Sequence, residues 1–203
     1  MEILYIESKL KNLKISLSNK EIKKLPNKID LLYTIQYKEL AYNIAKQIKK
    51  TGIKINKIKQ ILGCSIIKSK SILFIGTGKF HLNNLILQNN EIYIIKNNQI
   101  IKIPEDEINK LRTREKTSYL KFLHSNKIGI LVSIKKGQYN IEKALKLKKQ
   151  LEKKGKSCYI FLSDNININE FDNFNIDSWV NTACPGLFFD NLNIININKI
   201  KNN

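Results

Sequence analysis

Short, almost wholly apolar runs alternate along this chain with longer segments whose apolar residues recur every three or four positions. Ile29 to Ile35 (IDLLYTI) reads as a buried strand. Tyr37 to Lys50 follows with Leu40, Ile44 and Ile48 on one helical face, and Gly52 stands just beyond, where a left-handed cap costs least. Ile53 to Ile55 reads as a short strand ahead of a loop carrying Gly63-Cys64. Ser71 to Gly76 (SILFIG) and Glu91 to Ile95 (EIYII) are further strands, residues 97–104 read as a linker, and Glu105 to His124 as a polar helix.

The same order then restarts. Lys127 to Ser133 (KIGILVS) is a strand, Lys135-Lys136-Gly137-Gln138 a loop, and Ile141 to Lys154 a helix with apolar Ala144, Leu145, Leu147 and Leu151, stopped by Gly155. Ser157 to Leu162 and Ser178 to Thr182 are strands, and Cys184-Pro185-Gly186 is a tight turn. Beyond Leu192 the chain is rich in Asn and Ile, which predicts one last strand and a frayed end. Strand, helix and strand in this alternation predict an α/β fold of two similar three-layer parallel-sheet domains. The expected domains are residues 1–110, carrying Cys64, and residues 111–203, carrying Cys184.

Composition narrows the classes. With 203 residues, 42% of them hydrophobic, the chain is long enough for one large or two small α/β domains. Lys and Arg outnumber Asp and Glu 36 to 17, for a formal charge of +19. Such a charge favours phosphate contact. The lysines are spread through every segment, however, and aromatic residues do not interleave with them as in an RNA-binding motif. That pattern reads as compositional drift toward Lys, Ile and Asn, and nucleic acid is not an expected partner. No run of about 18 apolar residues predicts a membrane span. The acidic start, Met1 to Glu7, does not read as a signal peptide. A cytoplasmic protein is expected, in which three cysteines are reduced thiols or metal ligands rather than disulfides.

Cys158 lies mid-strand and reads as a buried thiol. Cys64 (Leu62-Gly63-Cys64-Ser65) and Cys184 (Thr182-Ala183-Cys184-Pro185-Gly186) sit in loops after strands, where open α/β folds bind ligands. The absence of a CxxC spacing rules out a zinc ribbon or a ferredoxin-type run. Gly76-Thr77-Gly78 follows a strand and lacks both the third glycine of a dinucleotide fingerprint and the GK[ST] of a P-loop. Its amides suit an anion or a plain turn, and Gly137-Gln138 has the same two readings. His81, just after the first glycine loop, is a candidate to line a site, whereas His124 reads as structural.

Several of these strings together resemble one family. Thr34-Ile35-Gln36, Ile61-Leu62-Gly63-Cys64 and Phe74-Ile75-Gly76-Thr77-Gly78-Lys79-Phe80-His81 resemble the middle domain of the radical diphthamide synthases, the archaeal 2-(3-amino-3-carboxypropyl)histidine synthase family. Gly129-Ile130-Leu131-Val132, Lys136-Gly137-Gln138, Ala144-Leu145-Lys146-Leu147 and Val180-Asn181-Thr182-Ala183-Cys184-Pro185 resemble its last domain, and the order is the family's. The resemblance implies the second and third of three similar α/β domains, each giving one cysteine to a [4Fe–4S] cluster with an open position for S-adenosylmethionine. The implied reaction transfers a 3-amino-3-carboxypropyl group, as a radical, to a histidine of translation elongation factor 2. Residue by residue, Cys64 and Cys184 take the places of the second and third cluster ligands. Gln138, with Gly137, takes the place of the loop near the methionine end of the cofactor.

Two departures are visible. No segment here resembles the first domain, so the third cysteine is expected from a separate polypeptide, unless the chain is a non-catalytic companion subunit. Gly186 also stands where the family usually carries Arg after Cys-Pro. A homodimer is left open at this stage. A quinolinate-synthase-like iron–sulfur enzyme and a basic RNA-binding protein are weaker alternatives, disfavoured by the NTACP and GTGKFH strings and by the dispersed lysines respectively.

Overall fold

A computed structural model describes residues 8, 10, 13–88 and 91–200. The acidic segment 1–7 and the last residues of the tail, 201–203, lie outside the described residues. The chain falls into two compact units, Met1–Leu111 and Arg112–Asn203.

In the first unit a short helix α1 (Asn19–Ile22) precedes β1 (Lys28–Tyr33), α2 (Lys38–Lys49), β2 (Lys54–Gln60), β3 (Ser71–Ile75), α3 (Lys79–Ile86), β4 (Glu91–Lys96) and β5 (Gln99–Lys102). The sheet order is β2-β1-β3-β4-β5, parallel except for the β4–β5 pair. Side chains alternate across its two faces. Leu31, Tyr33, Leu73 and Ile75 pack with Ala41, Ile44 and Ile48 of α2. On the opposite face Leu32, Ile72, Phe74 and Ile92 pack with Leu85 and Ile86 of α3 and with Ile108. The unit therefore has three layers, and full burial of a side chain such as Ile44 contributes about 1.5–3 kcal/mol.

Helix α4 (Glu105–His124) leads into β6 (Lys127–Ser133), α5 (Ile141–Glu152), β7 (Ser157–Ser163), β8 (Ser178–Asn181) and β9 (Ile194–Asn196). The second sheet is wholly parallel, in the order β7-β6-β8-β9. Ile128, Ile130, Val132 and Val180 face α5 and Phe122. Leu131, Trp179 and Ile194 face the other way, where 3₁₀ turns at Ile168–Phe174 and Pro185–Phe189 form the covering layer in place of an α-helix. Phe161 meets Trp179 edge-on there, with centroids 4.8 Å apart.

Three sequence expectations change. The linker at 97–104 contains β5, because Asn97 and Asn98 both take left-handed φ (51° and 59°) and turn the chain back as a hairpin. The strand expected at Ile53–Ile55 runs instead from Lys54 to Gln60 as an edge strand. Leu145, expected on the apolar face of α5, is 47% exposed. Ala144, Leu147 and Leu151 define the buried stripe, and Leu145 lies about 100° round the helix from Ala144.

Candidate functional site

In both units the loops of interest leave the carboxyl ends of parallel strands, the edge at which open α/β sheets bind ligands. Residues 61–70 follow β2 and residues 76–78 follow β3 in the first unit. In the second, residues 134–140 follow β6 and residues 182–184 follow β8.

Cys64 is an exposed thiol in a turn closed by Ser65 N donating to Leu62 O (3.0 Å) and by Leu62 N donating to Ser65 Oγ (2.9 Å). Helix α3 and its extension hold that turn. A Cβ built on Gly63 would fall 1.8 Å from Cε1 of Phe80, so the ring lies directly against the Gly63 backbone. Asn84 Nδ2 donates to Gly63 O. Gln88 spans the far side, donating from Nε2 to Ser65 O (3.0 Å) and accepting at Oε1 from Ile67 N (2.7 Å). Phe80, Asn84 and Gln88 recur every four residues, on one helical face. The structure thus joins the LGC and GTGKFH strings, which are separated in sequence by residues 65–75 with β3 among them, into one assembly.

His81 is half-buried. Its ring stacks on Phe74 at 6.5 Å and tilts against Phe80 at 5.5 Å. Burial pushes its pKa below the ordinary imidazole value, which favours the neutral ring. Such a group can line a site as a hydrogen-bonder rather than as a cation.

In the second unit Cys184 is a half-buried free thiol that starts the 3₁₀ turn Pro185–Phe189. Asn181, 2% exposed, organises this loop. Its Nδ2 donates to Cys184 O (2.7 Å) and to Asn196 Oδ1 (2.6 Å), and its Oδ1 accepts from Ala183 N (2.9 Å). Asn196 Nδ2 donates in turn to Pro185 O (3.2 Å). Thr182 is anchored by its hydroxyl to Leu131 O at 2.8 Å. Arg114 steadies the turn after Cys184, donating to the carbonyls of Phe188 (3.3 Å) and Phe189 (2.9 Å) with its guanidinium 5.5 Å from the Phe188 ring. Gln138 is half-buried in the loop after β6, its N–H closing a turn on Lys135 O (3.0 Å), and Gly137 takes φ +82°, a conformation that favours glycine.

Cys158 is separate from both loops. It lies in β7 among Ile128, Leu147 and Leu151, and burial pushes its thiol pKa up, so it is no candidate ligand. Among the described residues no three His, Cys, Asp or Glu side chains are grouped to hold a metal ion. Sequence reasoning missed the loop-holding residues: Asn84, Gln88, Arg114, Asn181 and Asn196. The four-residue spacing of Phe80, Asn84 and Gln88 was the one readable signal.

Taken together, the fold and loops define an α/β protein of two mostly parallel sheets with a free thiol on a loop at the carboxyl edge of each. Residues 1–194 match the model of the diphthamide synthesis protein family, and the chain belongs to that family. It is 25% identical over 183 residues to a 2-(3-amino-3-carboxypropyl)histidine synthase of Pyrococcus horikoshii, covering 84% of this chain and 54% of that relative. It is 30% identical over 170 residues to the protein of the same name from Methanocaldococcus jannaschii, covering 80% of this chain and 46% of the relative. The crystal structure of Dph2 from Pyrococcus horikoshii with a 4Fe-4S cluster is similar at a TM-score of 0.74 and 26% identity, over 87% of this chain and 57% of that one. The chain spans about half the length of the curated relatives it matches.

Proposed function

We propose that this chain contributes Cys64 and Cys184 as two thiolate ligands of a [4Fe–4S] cluster in a 2-(3-amino-3-carboxypropyl)histidine synthase. The observation that carries the reading is that the chain's free loop cysteines, one per unit, sit on separately braced turns at carboxyl strand edges, in a family whose solved relative holds a 4Fe-4S cluster. The donor set fits such a group: soft thiolates on rigid turns suit iron–sulfur chemistry, and the remaining cysteine is sealed in a core. The cluster, when bound and reduced, would supply the electron that cleaves a carbon–sulfur bond of S-adenosylmethionine.

The chain's own residues do the holding and orienting. Gln138 and Gly137 present a polar loop suited to the amino-acid end of S-adenosylmethionine, and neutral His81 lines the first unit's edge without adding positive charge. The acceptor in this reading is a histidine of translation elongation factor 2. Because two cysteines are one short of the family's three, a further α/β domain supplies the third, whether on another polypeptide or on sequence beyond these residues.

Anaerobic reconstitution with iron and sulfide tests this, in the presence of a domain carrying the third cysteine. Iron content and the charge-transfer absorbance of the cluster should fall sharply in Cys64→Ser and Cys184→Ser and hold in Cys158→Ser. Equal iron binding by wild type and both loop variants would overturn the reading. A companion-subunit role is the second reading, since this chain carries two of the family's three ligand positions and has Gly186 where the family usually carries Arg. It predicts stable association with the catalytic partner while cluster content there is indifferent to Cys64 and Cys184.

A further inference from the structure

Helix α5 begins in an unusual way. Asn140 occupies the N-cap position, where an Asn side chain ordinarily accepts a hydrogen bond from the first free N–H groups of its helix. Here it makes no such bond. Its amide turns away and donates to Gln138 O (3.2 Å) and Thr182 O (2.8 Å). Both partners are carbonyl oxygens, so only the NH₂ end of the side chain can serve them, and both its hydrogens are used.

The two acceptors belong to different loops. Gln138 O lies in the turn after β6, whose N–H is already fixed on Lys135 O. Thr182 O lies two residues before Cys184, in a loop whose other end Asn181 holds through Cys184 O. One side chain, forgoing its own helix cap, therefore fixes the distance between the Gln138 loop and the Cys184 loop.

We infer that Asn140 is a positioning residue that sets the Cys184 thiol against the Gln138 loop, so that metal ligand and cofactor contact keep a fixed geometry. This rests on the proposed roles of Cys184 and Gln138. Should those roles be wrong, the failure appears in the iron reconstitution of Cys184→Ser, whereas the tether is judged by a separate measurement on the metal-free chain.

That measurement is the alkylation rate of each cysteine with iodoacetamide, read site by site by mass spectrometry, with Cys64 as internal reference. Asn140→Asp keeps a side-chain acceptor for the helix cap but cannot donate to either carbonyl. In Asn140→Asp the Cys184 to Cys64 rate ratio should rise roughly fivefold to a hundredfold, as loss of two net hydrogen bonds implies. The new carboxylate can cap α5 where Asn140 does not, which offsets the lost bonds in overall stability, so the thermal midpoint should stay near that of wild type. Leu151→Ala, which loosens α5 in the core away from both loops, serves as the control and should lower the midpoint without moving the ratio. An unchanged ratio in Asn140→Asp, or an equal rise in Leu151→Ala, would overturn the inference.

Discussion

Gly63 and Phe80 occupy each other's space: the ring stands where any side chain on residue 63 would begin, 1.8 Å from a Cβ built there. Steric exclusion, rather than backbone torsion, makes this position glycine. Gly63→Ala should cost about 1–3 kcal/mol, the range for overpacking a filled site. Phe80→Ala in the same chain should recover part of that loss. Urea unfolding of the two single variants and the double variant gives the coupling energy, which should be favourable for the pair of small residues.

Gln88 grips the Cys64 turn from the far side. Gln88→Ala would leave the N–H of buried Ile67 without its side-chain acceptor, at a cost of about 1–3 kcal/mol. Because the same side chain holds Ser65 O, the backbone amides of residues 62–67 should lose hydrogen-exchange protection in Gln88→Ala while those of the Cys184 loop do not change. Site-resolved mass spectrometry checks both at once.

Burial, reinforced by the negative charge of Glu152, raises the Cys158 thiol pKa. The thiolate is the reactive form, so at neutral pH iodoacetamide should label Cys64 and Cys184 in the native protein and spare Cys158. Denaturant should bring Cys158 up to the rate of the others. Early labelling of Cys158 would show that the core around α5 opens more readily than its packing implies.

Asp177 accepts the backbone N–H of Lys127 (2.8 Å) and that of Asn126 (3.0 Å), which lowers its pKa below the ordinary Asp range. A carboxyl depressed in the folded state stabilises above its unfolded pKa, and the contribution disappears as pH falls through the folded value. Asp177→Asn should therefore reduce the thermal midpoint at neutral pH. It should also flatten the acid limb of a stability–pH curve below the ordinary Asp pKa. The group is exposed, so the change will be modest.

The regular elements were readable because their patterns are strong. SILFI and KIGILVS are apolar apart from polar residues at their ends, as strands covered on both faces must be, and Leu40, Ile44 and Ile48 keep helical spacing. The β5 hairpin was not readable in the same way. Asn97-Asn98 forms its turn only by taking two left-handed conformations, and asparagine is so common in this chain that the pair gave no contrast. The same dilution hid Asn140, Asn181 and Asn196, whose meaning lies in which carbonyls they reach. Cys64 and Cys184 stood out for the opposite reason, being rare residues flanked by glycine or proline. What sequence could not supply was the meeting of distant strings, Phe80 on Gly63 and Asn140 on Thr182, which exists only once the sheets have set strand ends side by side.

The two outer parallel strands at β2 and β7 differ in one respect that bears on handling. Strand β2 (KINKIKQ) lines its open edge with Lys54, Lys57 and Lys59, which repel any approaching strand. Strand β7 (SCYIFLS) has no charge at all, and Tyr159 and Leu162 stand half out of the surface. At low ionic strength the +19 charge of the whole chain keeps copies apart. Concentrated salt removes that protection, leaving β7 as an adhesive seam, so this cationic protein should stay dispersed in dilute buffer and cloud as salt is added.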